Sequence, residues 1–476
     1  MRSGESASSN SELHRDDPAV SGNADEIVAR LERLPFTPVH LYVATVLGVG
    51  TFFDAFDSLS IAVSLTVIFT TLHVDLINTG LLISSAYAGQ FLGALVIGWL
   101  AERFGRKTAF ALSLMLFGLM SLATAMAWNF ESLFVFRLIQ GIGLGAEVPV
   151  AGTLFNEFVR GKDRGKVVMI YETLFIWGLF LAPLAGLFLF RALGPAVGWR
   201  ALFAVGGLPF LVGIYAWLRL PESPRWLAGK GLLAEAGRLV SRVEASARLR
   251  GAVLAPPQTR VRSDVRPTRL AELFGRAYRR RTVLVWVHWF TAYFVNSVVT
   301  GWLPTMYVRF CGLPPQRSLV LATITGGALV VVGYSMAFTI DRIGRKPIFI
   351  FAFALTAFGA LLGLVLITIL GATTWPVLFI SGLLMQFGAG LNCNGVYVYT
   401  PELYPTRMRA WATALASSMN RLASFIAPAA TGALLGLKFG VHWMFVLMAL
   451  SSVAGLVIMV TLGIETKQRA LEEISV

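Results

Sequence analysis

Residues 98–107 read Gly98-Trp99-Leu100-Ala101-Glu102-Arg103-Phe104-Gly105-Arg106-Lys107, and residues 339–346 read Thr339-Ile340-Asp341-Arg342-Ile343-Gly344-Arg345-Lys346. Acid, arginine, glycine, arginine and lysine coincide at an offset of 239 residues (341 less 102). Two further pairs recur at nearly that offset. Glu157 with Arg164 matches Glu402 with Arg409, 245 apart (402 less 157), and Pro221-Glu222-Ser223 matches Ile464-Glu465-Thr466, 243 apart (465 less 222). Three patterns in near register mark one unit repeated within the chain.

Working outward from these loops, the chain is a series of apolar runs. A helix needs about 20 mainly apolar residues to cross the hydrocarbon of a bilayer. Six such runs fall at 40–69, 79–101, 108–127, 133–158, 167–190 and 201–219, and six more at 283–308, 319–340, 347–370, 375–399, 409–435 and 441–462. The expected fold is an all-α membrane protein with 12 transmembrane helices in two pseudo-symmetric six-helix bundles. Composition agrees: 56% of the 476 residues are hydrophobic and only 14% charged, against about 25% in soluble domains. A parallel repeat of this kind places a substrate site between its halves, near the bilayer midplane.

The net charge of +14 raises the question of a nucleic-acid partner, and the location of the charge answers it. Arg103, Arg106, Lys107, Arg160, Lys162, Arg164, Lys166, Arg342, Arg345, Lys346, Arg407 and Arg409 all fall in loops on the side of the termini. The opposite loops hold Arg191, Arg200, Arg309, Arg317 and Lys438. Lys and Arg concentrate in cytoplasmic loops, so both termini are expected in the cytoplasm and the basic charge marks topology and lipid headgroups. The expected divisions are a disordered tail at 1–34, a bundle at 35–220, a cytoplasmic loop at 221–281 with an amphipathic helix near 232–249, a bundle at 282–464 and a tail at 465–476. No cleavable signal is expected before the first span, because the opening residues lack an apolar stretch. Cys311 and Cys393 have no partner spacing for a disulfide or a metal. No cofactor is called for, and no nucleophile–base pair suggests an enzyme.

An ionisable side chain inside a span is costly and is by default functional. Asp54 and Asp57 sit mid-way along the first run, three residues apart, and two carboxylates this close in low dielectric favour reversible protonation. The alternative is that both are paired structurally with basic neighbours. Arg137, Gln140 and Glu147 fall within a stripe about 80° wide on the fourth helix, where Arg137 can pair with Asp54 or Asp57. Gly141 and Gly145 read as a tight helix-packing spacing, not as a dinucleotide loop. Arg421, mid-span in the eleventh helix, can take a substrate carboxylate bidentately or pair with an acid on another helix. Asn392, Asn420, Tyr171, Trp177, Phe290 and Asn296 complete the candidate substrate contacts. Glu102, Arg103, Arg106, Glu157 and Arg164, with their counterparts Asp341, Arg342, Arg345, Glu402 and Arg409, form a candidate cytoplasmic gate of ion pairs between helix ends.

Together these motifs resemble the major facilitator superfamily. The two loops at 98–107 and 339–346 are similar to its signature loops, with Glu102 where the loop usually carries Asp. Arg137-x2-Gln140-Gly141-x-Gly143-x-Gly145 resembles its fourth-helix motif. Pro221-Glu222-Ser223-Pro224-Arg225-Trp226 and Pro401-Glu402-x2-Pro405-x3-Arg409 resemble motifs shared by its sugar-porter, organic-ion and metabolite/proton branches. Asp54-Ala55-Phe56-Asp57 is similar to the first-helix motif of aromatic-acid symporters, and Ala55 fits the niacin-type variant. The glutamines of sugar porters on the fifth and seventh helices have no match here. The resemblance implies a monomeric, proton-coupled symporter of a bacterial inner membrane, carrying a small organic anion such as an aromatic acid or nicotinate by alternating access. A sugar or organic-cation transporter, or a non-transporting sensor with the same fold, remains the alternative.

Overall fold

The computed structural model describes residues 24–159, 164–257, 270–371 and 373–467. Their regular structure is helical throughout. In chain order the helices are α1 (Ala24–Glu32), α2 (Pro38–Thr71), α3 (Leu76–Phe104), α4 (Arg106–Ala125), α5 (Phe130–Phe158), α6 (Arg164–Leu193), α7 (Pro195–Val205), α8 (Pro209–Arg219), α9 (Pro224–Gly229), α10 (Leu233–Arg248), α11 (Arg279–Arg309), α12 (Pro315–Ile343), α13 (Arg345–Leu370), α14 (Trp375–Glu402), α15 (Thr406–Gly436) and α16 (Val441–Leu462). A short 3-10 turn, Leu270–Phe274, precedes α11.

The helices start where local chemistry satisfies their first amide groups. Asp75 accepts from the Asn78 amide at 2.7 Å to open α3, and the Asn129 side chain accepts from Ser132 at 2.9 Å to open α5. Such caps are worth about 1 kcal/mol each. Eleven spans among the described residues are long and apolar enough to cross a membrane, α7 and α8 counting as one. The twelfth, α15, has the length but carries Arg407, Arg409, Asn420 and Arg421 in its 31 residues. The run expected at 201–219 begins earlier, at Pro195, and is broken between α7 and α8 by Gly206, Gly207 and Pro209, because proline cannot donate to the preceding turn.

In the first half α5 lies between α3 and α4, while α2 packs on α6. In the second half α13 lies against α14 and α16, and α11 against α14 and α15. The halves join through α3 with α15, α6 with α12, and α2 with α11. At the face away from the termini this contact is backbone on backbone. A Cβ on Gly80 of α3 would lie 2.7 Å from the Pro428 carbonyl oxygen, and one on Gly432 of α15 would lie 2.8 Å from that of Leu76. Ser84 donates to the Phe425 carbonyl at 2.7 Å just below. Gly141 and Gly145 have the packing role expected of them, with the carbonyls of Ala86 and Gln90 where their side chains would be.

The face bearing the termini carries a small module. Residues 24–32, expected within a disordered tail, form α1, because Ile27 and Leu31 bury against Leu227, Val240 and Val243 of α9 and α10. Arg30 and Arg33 both hold Glu244, at 2.8 and 2.6 Å. Burial pushes the Glu244 carboxyl up, but the two guanidinium groups outweigh it and leave it below the usual range. Arg225 joins the module to the first half by pairing with Glu32 at 2.6 Å and donating to the Glu157 carbonyl at 3.2 Å.

Candidate functional site

The middle of the membrane holds two charged constellations. In the first, Arg137 of α5 pairs with Asp57 of α2 at 2.5 Å, and Gln140 donates to the other Asp57 oxygen at 2.8 Å. Arg137 also donates to Gln140 at 2.9 Å, and its guanidinium lies 5.7 Å from the Phe203 ring centre. Asp57, Arg137 and Gln140 are at most 1% exposed. The whole cluster belongs to the first half, so of the two aspartates open to Arg137 it is Asp57 that takes it. Glu147, one stretch further along α5, accepts from Thr51 at 3.3 Å and presses on Gly50 of α2.

The second constellation spans the halves. Arg421 is the central residue of α15, and Gly145 and Asp54 lie within a residue of the centres of α5 and α2. Arg421 donates to the Gly145 carbonyl at 2.7 Å. Its other electrostatic neighbours are Tyr397, Asp54 and Tyr293. Around it stands an aromatic cluster. Trp289 stacks on Tyr293 with ring centres 5.6 Å apart and meets Tyr397 edge-on at 4.7 Å, and the Tyr293 and Tyr397 hydroxyls lie 3.5 Å apart. Trp177 of α6 reaches across the halves to the Tyr334 hydroxyl at 3.3 Å. A half-buried guanidinium beside an aromatic cluster is suited to a planar anion.

Over residues 44–476 the chain matches the model of the family described as "Sugar (and other) transporter". It belongs to that family of the major facilitator superfamily. This transporter is 31% identical over 455 residues to the niacin transporter NiaP of Acinetobacter baylyi, covering 94% of this chain and 99% of the relative. It is 30% identical to the 4-hydroxybenzoate transporter PcaK of the same organism, with 90% and 91% covered, and 31% identical to a gallate transporter of Pseudomonas putida, with 79% and 81% covered. Its fold matches a crystal structure of a D-xylose-proton symporter with a TM-score of 0.71 at 20% identity, over 90% of this chain and 100% of that one.

The remaining candidates divide. Asn296 stays near the interface, accepting from Gln386 at 3.0 Å. Asn420 lies beside Arg421 and accepts from Ser424 at 3.1 Å. Phe290 packs half-buried against Phe294, ring centres 5.8 Å apart. Asn392 turns away from the interface into the second half, where it meets His288 Nε2 at 3.1 Å and donates to the Gly388 carbonyl at 3.2 Å. It does so because the histidine is enclosed by Phe349 and Phe353 and has Asn392 as its polar neighbour. The Tyr171 side chain lies outside the described residues. Tyr397 stands on the tenth helix among the polar and aromatic residues that sequence offers for the site, whereas Tyr293 is passed over because aromatic residues in spans are commonly packing. Its position one residue from the centre of α11, as Arg421 is central in α15, is the available signal.

The expected gate is really two closed clusters, one per half. Arg106 pairs with Glu102 at 2.8 Å and Glu157 at 3.5 Å. Arg345 pairs with Asp341 at 2.7 Å and Glu402 at 2.8 Å. Arg103 does not join its cluster; it lies over the Trp99 and Phe104 rings at 5.2 and 5.5 Å. Arg342 contributes its carbonyl, which accepts from Lys467 at 2.5 Å. Among the described residues Arg409 makes no ion pair with Glu402, whose oxygens are taken by Arg345 and Thr466. The Arg164 side chain lies outside the described residues.

Sequence reading also left the repeated Glu222 and Glu465 without a role. Glu222 accepts from the amides of Arg106 at 2.9 Å and Lys107 at 3.1 Å, capping α4. Glu465 accepts from Arg345 and Lys346, both at 3.0 Å, capping α13. This explains the loop glycines. Gly105 and Gly344 have φ of +106° and +112°, and a Cβ would lie 2.0 and 2.7 Å from the capping carboxylates. An acid at a helix start also meets the positive end of the helix dipole.

Proposed function

We propose that the chain is a proton-coupled symporter of a small aromatic carboxylate, working by alternating access with both termini in the cytoplasm. The observation that carries this reading is Arg421, midway along α15, reaching between the halves among Trp289, Tyr293 and Tyr397 with Asp54 as its acidic neighbour. A carboxylate substrate and an ionised Asp54 compete for one guanidinium. Protonating Asp54 frees Arg421 for the substrate, so proton and anion enter together and the loaded site is nearly neutral, which lowers the cost of moving it through the membrane.

Asp57 has a different part. Its pair with Arg137 ties α2 to α5 inside the first half, and protonating it would leave Arg137 seeking Gln140 alone, loosening that tie. Relatives handling niacin, 4-hydroxybenzoate and gallate support the substrate class. The basic loops support the orientation. The test is uptake of labelled nicotinate and 4-hydroxybenzoate into proteoliposomes under an inward acid gradient. Accumulation that collapses with a protonophore is the expected result; uptake of sugars alone, or of acids without gradient dependence, overturns the reading.

A further inference from the structure

Beyond Arg421, toward the face away from the termini, lies an internal cavity of about 30 Å³ between α2, α6, α11, α12 and α14. Leu59, Leu179, Leu329 and Thr300 form much of its wall, and Gln386 and Tyr307 also border it. Gln386 is fully buried, and its side-chain oxygen has no hydrogen-bond partner among the described residues. The same holds for the Tyr307 hydroxyl. A buried acceptor left unmet costs free energy unless something else supplies a donor. Gln386 is fixed in this orientation because its amide nitrogen donates to Asn296 at 3.0 Å, which leaves the oxygen as the free end.

The geometry of α11 links this cavity to the cation. Tyr293, Asn296, Thr300, Leu303 and Tyr307 follow at three- and four-residue steps and form one stripe. Tyr293 belongs to the cluster around Arg421, Asn296 holds Gln386, and the last three border the cavity. From Tyr293 to Asn296 the helix rises about 4.5 Å, so along α11 the residue that holds Gln386 sits just under one turn beyond the one that belongs to the Arg421 cluster.

We infer that Gln386, held by Asn296, is a specificity subsite for a hydroxyl on the aromatic ring of the carried acid, at the end opposite the carboxylate. This rests on the aromatic-carboxylate reading. A phenolic hydroxyl supplies the donor that the Gln386 oxygen lacks. A pyridine nitrogen is an acceptor only and leaves that oxygen unmet. The cavity has room for one such group, since a single water-sized group needs about 10–15 Å³, and its apolar wall excludes a second charge.

The experiment is calorimetric binding of benzoate, 4-hydroxybenzoate and nicotinate to the purified full chain and to Gln386→Leu. The expected result is that the full chain binds 4-hydroxybenzoate at least tenfold more tightly than benzoate and nicotinate no more tightly than benzoate, and that in Gln386→Leu the first two acids bind within about twofold of each other. Equal binding of all three acids by the unaltered protein overturns the inference even where the variant does not fold. A hydroxyl preference that survives Gln386→Leu overturns it too. If no acid binds, the aromatic-carboxylate reading itself fails, and the two failures are thereby told apart.

Discussion

Asp57 and Arg137 face each other at 2.5 Å with neither side chain more than 1% exposed, and Gln140 closes the remaining Asp57 oxygen. Removing one partner of a buried pair strands the other, at about 3–5 kcal/mol. Asp57→Asn is therefore expected to lower thermal stability in detergent and to abolish accumulation while leaving energy-independent exchange measurable. Asp57→Asn combined with Arg137→Gln should regain most of the stability and none of the accumulation. Proteoliposomes with normal accumulation by Asp57→Asn would remove the pair from coupling.

Asp54 lies near the same level and is an electrostatic neighbour of Arg421. Carboxylate binding by the unaltered chain is expected to weaken as pH rises, because an ionised Asp54 competes for the guanidinium. In Asp54→Asn the affinity should stay near its acidic-pH level across pH 6 to 8. Titration calorimetry at both ends of that range separates the two behaviours.

Arg421 offers a forked donor and already spends one arm on the Gly145 carbonyl. Lysine keeps the charge but loses the planar fork. Arg421→Lys should weaken aromatic carboxylates at least tenfold, about 1.4 kcal/mol. Unchanged affinity by thermal shift or calorimetry would take Arg421 out of the substrate site.

The paired caps should respond differently to acid. Burial raises the Glu222 carboxyl above its usual range despite its backbone hydrogen bonds. At Glu465 burial pushes the same way, but the amides of Lys467, Arg345, Lys346 and Thr466 outweigh it and hold the carboxyl low. A depressed carboxyl contributes stability that is present above its unfolded value and lost as pH falls through its folded one. A raised carboxyl favours the folded state at low pH instead, and that benefit is lost as pH rises. At neutral pH, Glu465→Gln should thus cost more stability than Glu222→Gln, by about 1 kcal/mol given typical cap strengths. Thermal unfolding at pH 7 and pH 4.5 checks it, and the gap should narrow at the lower pH.

The membrane architecture was legible because it is written in composition. Long apolar runs, basic loops on one side and the repeated Glu102-to-Lys107 pattern each report on one helix or one turn. Partnerships between helices were less so. Asp54 and Asp57 are about 60° apart around their helix, and only the rotation of α2 against α5 decides which one Arg137 takes. For Asn392, expected at the substrate site, it is likewise the enclosure of His288 that decides which way it turns. The ion pairs of the signature loops were expected to join neighbouring helix ends, which they do, but each set closes its own half. That distinction depends on Glu157 and Glu402 bending back to Arg106 and Arg345, a tertiary fact with no local trace.

The seam between Gly80 and Gly432 consists of backbone touching backbone, and among the described residues no ion pair lies on that face. Van der Waals contact is indifferent to dissolved salt, whereas charges in contact with water are screened within about 10 Å at ordinary ionic strength. The seal on that side should hold in brine and in fresh water alike. Salt-sensitive ion pairs lie on the opposite side, where Glu102 and Asp341 meet the solvent beside Arg106 and Arg345. On the seam's face Arg309 reaches across the halves to the Val74 carbonyl and the Phe69 ring, contacts that need no counter-charge, so the surroundings beyond the seam have little electrostatic leverage over when it opens.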